Sequence, residues 1–236
     1  MKSFFALLIA IICFVVCSTT LAQDTVEKPA GKQAWVFLTT GPKKVELTKE
    51  ESQQMMEQHL GNFTELAKAG DLVAAGPLAD PARKLRGIVL LNTGDLTKLN
   101  EFFTKDPFVK QEIMKLDGSL VDFKLGKFHT EINSEDLAQF QLVIFSAAEK
   151  GVNEGKNSED LLSHTMTYLK NHKDQSAIKA FGVMSGGDSK RTAILITKLD
   201  DTKAIEKIAS DMPFVQAQLW TFETLPLYMS SGVFGK

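Results

Sequence analysis

Among the 236 residues, the side chains best suited to shuttle protons near neutral pH, hold soft metal ions or attack carbon are four histidines and two cysteines. The four histidines, His59, His129, His164 and His172, show no ligand-pair spacing of the His-x-x-x-His kind. His164 and His172 are eight residues apart on a predicted helix, too far to share one ion. No metal site is expected. Both cysteines, Cys13 and Cys17, sit within the first 22 residues, so a chain cleaved after Ala22 has no thiol for a disulfide, a thiolate site or a nucleophile. Gly186-Gly187-Asp188-Ser189 looks like a phosphate loop, but its place between two short predicted strands reads as a hairpin turn. No cofactor is expected either. What remains is acid–base chemistry. A carboxylate beside an imidazole favours the imidazolium and fixes which ring nitrogen faces a ligand. Such a pair can take a proton from carbon or hydroxyl and return it elsewhere, typically contributing about 10²–10⁴-fold. That suits isomerisation or elimination on a small ring.

The elements that would carry such a pair begin after an apparent address. Lys2, the apolar run Phe4 to Val16 and the small residues Thr20 and Ala22 make residues 1–22 a predicted signal peptide. The run is shorter than the roughly 20 residues that span a bilayer. Cleavage after Ala22 is the primary reading, giving a secreted or periplasmic protein without integral membrane contact. An uncleaved anchor and lipid attachment at Cys17 stay open, although Val16 is bulky for a lipoprotein signal. A net charge of −2 offers no basic excess for nucleic acid, which is not expected as a partner; a small molecule is a possible one.

Residues 23–32 read as a polar linker, and patterned sequence then occurs twice, over 33–133 and 134–236. In the first unit, Ala34 to Thr40 is an apolar strand ended by Gly41-Pro42. Thr48 with Glu51 forms a predicted capping box for a helix whose stripe is Met56, Leu60, Phe63 and Ala67, stopping at Gly70. Two short strands, a second helix from near Asp95 to before Asp106-Pro107, and a strand over Ser119 to Phe128 follow. The second unit repeats the order, from the strand Phe140 to Ala147 to the strand Gln218 to Leu225. Gly76 and Gly182 are 106 apart, Pro107-Phe108-Val109 recurs at 106 as Pro213-Phe214-Val215, and His59 and His164 are 105 apart. We read a tandem duplication with its boundary near Asn133-Ser134. Each βαββαβ unit is the split ferredoxin-like motif, with both helices on one face of a four-stranded sheet. The expected fold class is α+β: two such units packed sheet to sheet within one chain, as a monomer or weak homo-oligomer. Phe37, Phe63, Phe102, Phe103 and Phe123 are expected in the core.

His59 in the first helix, Gly70-Asp71-Leu72 at its end, Ala75-Gly76-Pro77-Leu78 on the next strand and Asp106-Pro107 after the second helix resemble the YCII-related family. The resemblance covers most of the first unit and, more faintly, the second. It implies a ferredoxin-like fold paired as a dimeric α/β barrel, with a pocket holding a histidine and an aspartate proposed to be catalytic. Relatives include an enzyme that removes chloride from a chlorinated aromatic. On this match His59 takes the histidine position and Asp106 the aspartate position. They are expected within about 3.5 Å of each other or bridged by one water. Phe63, Gly76, Pro77 and Phe108 are the expected binding residues. The chain departs from the family at Asn62, where an aromatic is common, and at Val183, which replaces the proline after Gly182. Superposing the Pro-Phe-Val runs sets Asp106 on Met212; superposing the histidines sets it on Asp211. Gly151 to Gly155 reads as a flexible insertion, and the second unit as a diverged copy.

Two function classes follow. One is a cofactor-free lyase or isomerase acting on a small aromatic or cyclic molecule through His59 and Asp106. The other is a non-catalytic exported module that binds a small ligand or presents a surface. Geometry discriminates them, because an enzyme needs both side chains at a shared open pocket. Cofactor-free oxygenation rests on analogy of fold alone.

Overall fold

The structure, a computed structural model, describes residues 32–129, 136–149, 158–172, 174–187 and 190–234. The expected signal peptide, the linker up to residue 31, the unit boundary at Asn133-Ser134, the Gly151 to Gly155 insertion and Asp188-Ser189 lie outside the described residues. The first half comprises β1 (Gln33–Thr40), α1 (Lys49–Lys68), β2 (Leu72–Pro77), β3 (Leu85–Leu91), two single-turn helices α2 (Leu99–Phe102) and α3 (Pro107–Lys110), and β4 (Met114–Leu125). The second comprises β5 (Leu137–Ala147), α4 (Ser158–Asn171), β6 (Ile178–Ser185), β7 (Arg191–Thr197), α5 (Thr202–Ser210), α6 (Pro213–Gln216) and β8 (Trp220–Ser230). Among the described residues no helix is long and apolar enough to cross a membrane.

The strands form one eight-stranded antiparallel sheet in the order β2-β3-β1-β4-β6-β7-β5-β8. Each half has ferredoxin-like order, and the two sheets face each other across a shared core while also joining at their edges. At one seam β4 pairs with β6 from Leu120↔Ser185 to Leu125↔Phe181. At the other, Leu78 bridges Leu227, and the Ala79 N–H donates to the Pro226 carbonyl at 2.9 Å. The sheet thus curls into a near-closed barrel, which leaves little exposed edge for another chain. An ion pair between Arg191 and Asp117, with the guanidinium 4.2 Å over Phe37, also ties the halves together.

Strand periodicity explains the layers. On β1, Trp35 and Phe37 face the barrel interior with Ile88, Leu90, Leu142, Ile144 and Ile194, while Ala34, Val36 and Leu38 pack outward under the helices of the first half. The strand is apolar throughout because both of its faces are covered. A third cluster, with Val143, Phe145, Leu169 and Ile205, fills the space under the helices of the second half. Each large buried side chain contributes about 1.5–3 kcal/mol.

Glycines occur at both seams, 106 residues apart, for a steric reason. A Cβ on Gly76 would lie 1.8 Å from the Tyr228 carbonyl oxygen, and one on Gly182 would lie 2.6 Å from a Val121 methyl. Only hydrogen fits without movement. Gly186 and Gly187, at φ +70° and +75°, follow β6 where the chain turns towards its neighbour β7, in keeping with a hairpin.

Helix α1 begins as its sequence predicts. The Glu51 N–H donates to Thr48 Oγ1 at 3.1 Å, and the Thr48 N–H donates to Glu51 Oε2 at 2.8 Å. It ends before Gly70, whose φ is +74°. The buried face differs from expectation by one residue. Met55, His59 and Asn62 are buried, whereas Met56 and Leu60 are 44% and 48% exposed. One residue is about 100° around a helix. The apolar stripe loses to a face carrying two polar side chains because both find partners there, which removes most of their burial cost. The second helix expected after Asp95 is instead a 3₁₀ turn, Leu96–Lys98, followed by α2 and α3. Pro107 starts α3 afresh, since proline suits a first helical position and not an interior one.

Candidate active site

Asp106 is the N-cap of α3. Its Oδ1 accepts the backbone N–H groups of Phe108 at 3.0 Å and Val109 at 3.2 Å, which fixes the carboxylate as the start of a helix requires. The other oxygen, Oδ2, lies 2.5 Å from His59 Nδ1. Asp106 is 0% exposed and His59 7%. Because Oδ1 already accepts from two N–H groups, the simplest bonding has Nδ1–H donating to Oδ2, which leaves Nε2 for a ligand. Among the described residues Nε2 has no hydrogen-bond partner. The imidazole is flanked by Phe63, with ring centroids 4.5 Å apart, and by the edge of Phe108 at 5.3 Å. Phe63 in turn meets Phe103. One turn along α1, Asn62 Nδ2 donates to the Phe102 carbonyl at 3.1 Å, pinning α1 to α2.

An open cleft of about 470 Å³ lies next to the chain neighbours of the pair, and none of His59, Asp106, Phe63 and Phe108 is among the residues that line it. Gln58 and Pro107, the chain neighbours of His59 and Asp106, form part of its wall, and Lys43, Lys105 and Lys110 supply its charge. His59, Asp106, Phe63 and Phe108 therefore come together. Gly76 and Pro77 do not join them. Neither has a contact with the His59–Asp106 pair, Pro77 is exposed, and Gly76 is a packing residue against β8. The family pattern marks Asn62 only as a departure; the sequence signal for its role is a pair of polar residues three apart on one helix face, His59 and Asn62.

In the second half the Pro-Phe-Val register is the structural one. Tyr168 donates its hydroxyl to the Ile208 carbonyl at 3.2 Å, repeating Asn62 to Phe102 at an offset of 106. In that register Thr165 stands for His59 and Met212 for Asp106. Both are fully buried; Thr165 Oγ1 has no partner, and Met212 caps α6 without a side-chain bond. His164 is not the counterpart of His59: one residue off, it is exposed, and Asp211 engages Lys207 at 2.8 Å. The Tyr168 hydroxyl is pushed up to about 12, by burial first and by the Asp211 charge second. No group of three metal-ligating side chains occurs among the described residues. A second cleft, about 850 Å³, lies between α5 and the outer face of β5 and β8, lined by Gln139, Glu206, Lys207, Phe222, Thr224 and others.

Comparisons with known proteins bear on the fold. Residues 34–116 match the family described as YCII-related domain. Among curated proteins nothing matches the chain. Among solved structures, a mutant chlorite dismutase from Candidatus Nitrospira defluvii in complex with cyanide is similar at TM-score 0.57 and 9% identity, over 86% of this chain and 92% of that one. A heme-binding protein from Thermus thermophilus is similar at TM-score 0.52 and 12% identity, over 84% of this chain and 91% of that one. At such identities the likeness concerns the fold. The chain has the fold of a dimeric α/β barrel completed within one polypeptide, and the stretch 34–116, which holds His59 and Asp106, is similar to the YCII-related domain.

Proposed function

We propose that the protein is a cofactor-free lyase or isomerase acting on a small aromatic or cyclic molecule through His59 and Asp106. The observation that carries this is the buried 2.5 Å contact between His59 Nδ1 and Asp106 Oδ2, whose chain neighbours Gln58 and Pro107 line an open cleft. Asp106 orients the ring and stabilises the imidazolium; Nε2 accepts a proton from a carbon or hydroxyl of the substrate. In isomerisation the same proton is returned to another atom of the ring. In elimination the electron pair left behind forms the double bond as the leaving group departs with its own pair. The aromatic walls limit water and strengthen the ion pair formed during transfer.

Haem, carried by one structural relative, does not suit the two clefts. A haem iron needs an axial histidine, cysteine, methionine or tyrosine, and none lines either cleft. No step is therefore drawn through it.

The test is deuterium exchange from D₂O into weakly acidic C–H bonds of a panel of cyclic ketones, lactones and hydroxylated aromatics, followed by proton NMR. Exchange is expected for at least one class, and His59→Asn should slow it by about 10²–10⁴-fold. Exchange that persists in His59→Asn sinks the acid–base reading.

A second reading, a non-catalytic small-ligand module, is favoured by the low exposure of His59, 7%. The segment 1–22 supports export to the periplasm or outside the cell, and closure of the barrel within one chain supports a monomer or weak homo-oligomer. A tandem duplication accounts for the shared 106-residue offset.

A further inference from the structure

We propose that the cleft lined by Gln58, Lys105 and Pro107, the near chain neighbours of His59 and Asp106, is an anion-recognition site, which takes the carboxylate or phosphate group of a small, partly apolar molecule. As a statement about substrate class it rests on the acid–base reading of that pair; as a statement about binding it stands on the cleft.

The lining carries the argument. Lys43 comes from the loop between β1 and α1, Lys105 immediately precedes Asp106, and Lys110 ends α3; no acidic residue lines the cleft. Gln58 and Gln111 add amide donors, and Val45 and Pro107 give a small apolar wall. Lys43 and Lys105 each have one carboxylate at hand, Glu112 at 3.1 Å and Glu65 at 2.7 Å. Lys110 has no acidic partner among the described residues. With Lys43 and Lys105 each balanced by a carboxylate outside the lining, Lys110 leaves the concavity with a net positive charge, opposite in sign to the −2 of the chain. A concave low-dielectric wall focuses the field of such a charge.

Two contrasts inside the molecule sharpen this. The cleft of the second half mixes Asp200, Glu206 and Glu223 with Lys203 and Lys207, and so favours neither sign. In the register that sets His59 on Thr165 and Asp106 on Met212, Lys105 falls on Asp211 and Lys110 on Gln216. The cationic lining and the His–Asp pair are thus present together in one half and absent together from the other. A cleft of about 470 Å³ also lies in the size range of small-molecule sites.

The test uses the purified chain with benzoate, inorganic phosphate and neutral benzamide, followed by backbone-amide NMR shifts at Lys110 and Gln111. Benzoate, phosphate or both should shift these amides saturably, with benzamide at least about tenfold weaker. Which anion binds tells an organic carboxylate from a phosphate group. Lys110→Gln should weaken the bound anion about fivefold, and the triple variant Lys43→Gln/Lys105→Gln/Lys110→Gln should weaken it further. Added salt should act in the same direction. Benzamide binding as well as benzoate, unchanged affinity in the triple variant, or no anion-induced shift at these amides overturns the proposal. Anion binding without any proton exchange sinks the acid–base reading and leaves this site standing; exchange with no preference for charged substrates does the reverse.

Discussion

Around His59 and around Thr165 the molecule builds the same corner twice with different contents. In both, a helix lies against a one-turn helix that opens with Pro-Phe-Val, and a side chain three residues further along donates to a backbone carbonyl, Asn62 to Phe102 and Tyr168 to Ile208. One corner holds a buried carboxylate and imidazole; the other holds Thr165 and Met212. The barrel therefore does not need the polar pair to form. Met212 fills its place with apolar volume but gives up the side-chain cap that Asp106 provides to α3. Burying a carboxylate and an imidazole where a methionine suffices points to a use other than stability.

That difference can be tested by moving the pair across. Met212→Asp should cost about 3 kcal/mol, because a buried carboxylate would lack a cationic partner and gain at most the cap of α6. Adding Thr165→His should recover part of it, and urea unfolding of the four members of the cycle should give a coupling of at least about 1 kcal/mol. A coupling near zero would mean that the two corners are not interchangeable.

The seams give a second handle of intermediate size. Gly76→Ala would meet a backbone oxygen at 1.8 Å, whereas Gly182→Ala would meet side-chain atoms of Val121 and Phe123 that can move. We expect about 3 kcal/mol for the first and about 1–2 kcal/mol for the second, measured as shifts in denaturant midpoint. Equal costs would show that the Tyr228 backbone yields as readily as a side chain.

The smallest effect lies at the start of α1. Thr48→Ala removes the side-chain half of the capping box and should cost about 1 kcal/mol. Hydrogen bonds from Thr48 hold the Glu51 carboxyl below its usual range, the backbone bond contributing most. Its stabilisation is present above the ordinary carboxylate range and is lost as pH falls through the lowered folded value. Thermal melts across the acid limb should therefore be flatter for Glu51→Gln, which removes the titrating group, than for the parent chain. An unchanged pH slope would remove the cap from the account of α1.

The fold was legible because its signals are local or repeated: Thr48 and Glu51 three residues apart, the seam glycines, and Pro-Phe-Val twice at one offset. The pairing of His59 with Asp106 spans 47 residues and has no local pattern; it was reachable through the family resemblance alone. The orientation of α1 was misread because Met56, Leu60, Phe63 and Ala67 make a plausible stripe, and nothing local says that His59 and Asn62 have partners waiting. The same one-residue ambiguity made His164 look like a second site histidine. The three cleft lysines come from separate segments, at 43, 105 and 110, so no spacing rule brings them together.

Joining both seams within a single polypeptide has a consequence for how the wall around the site endures. In a barrel assembled from two chains, closure is a binding equilibrium, and dilution opens it. Here the Leu78–Leu227 bridge and the β4–β6 ladder are intramolecular, so their effective concentration is set by chain connectivity and not by how much protein is present. A substitution also strikes one side of the barrel only, whereas in a symmetric pair it strikes both at once. The wall that supports His59 is thus independent of protein abundance, and each side of it can change while the other is left alone.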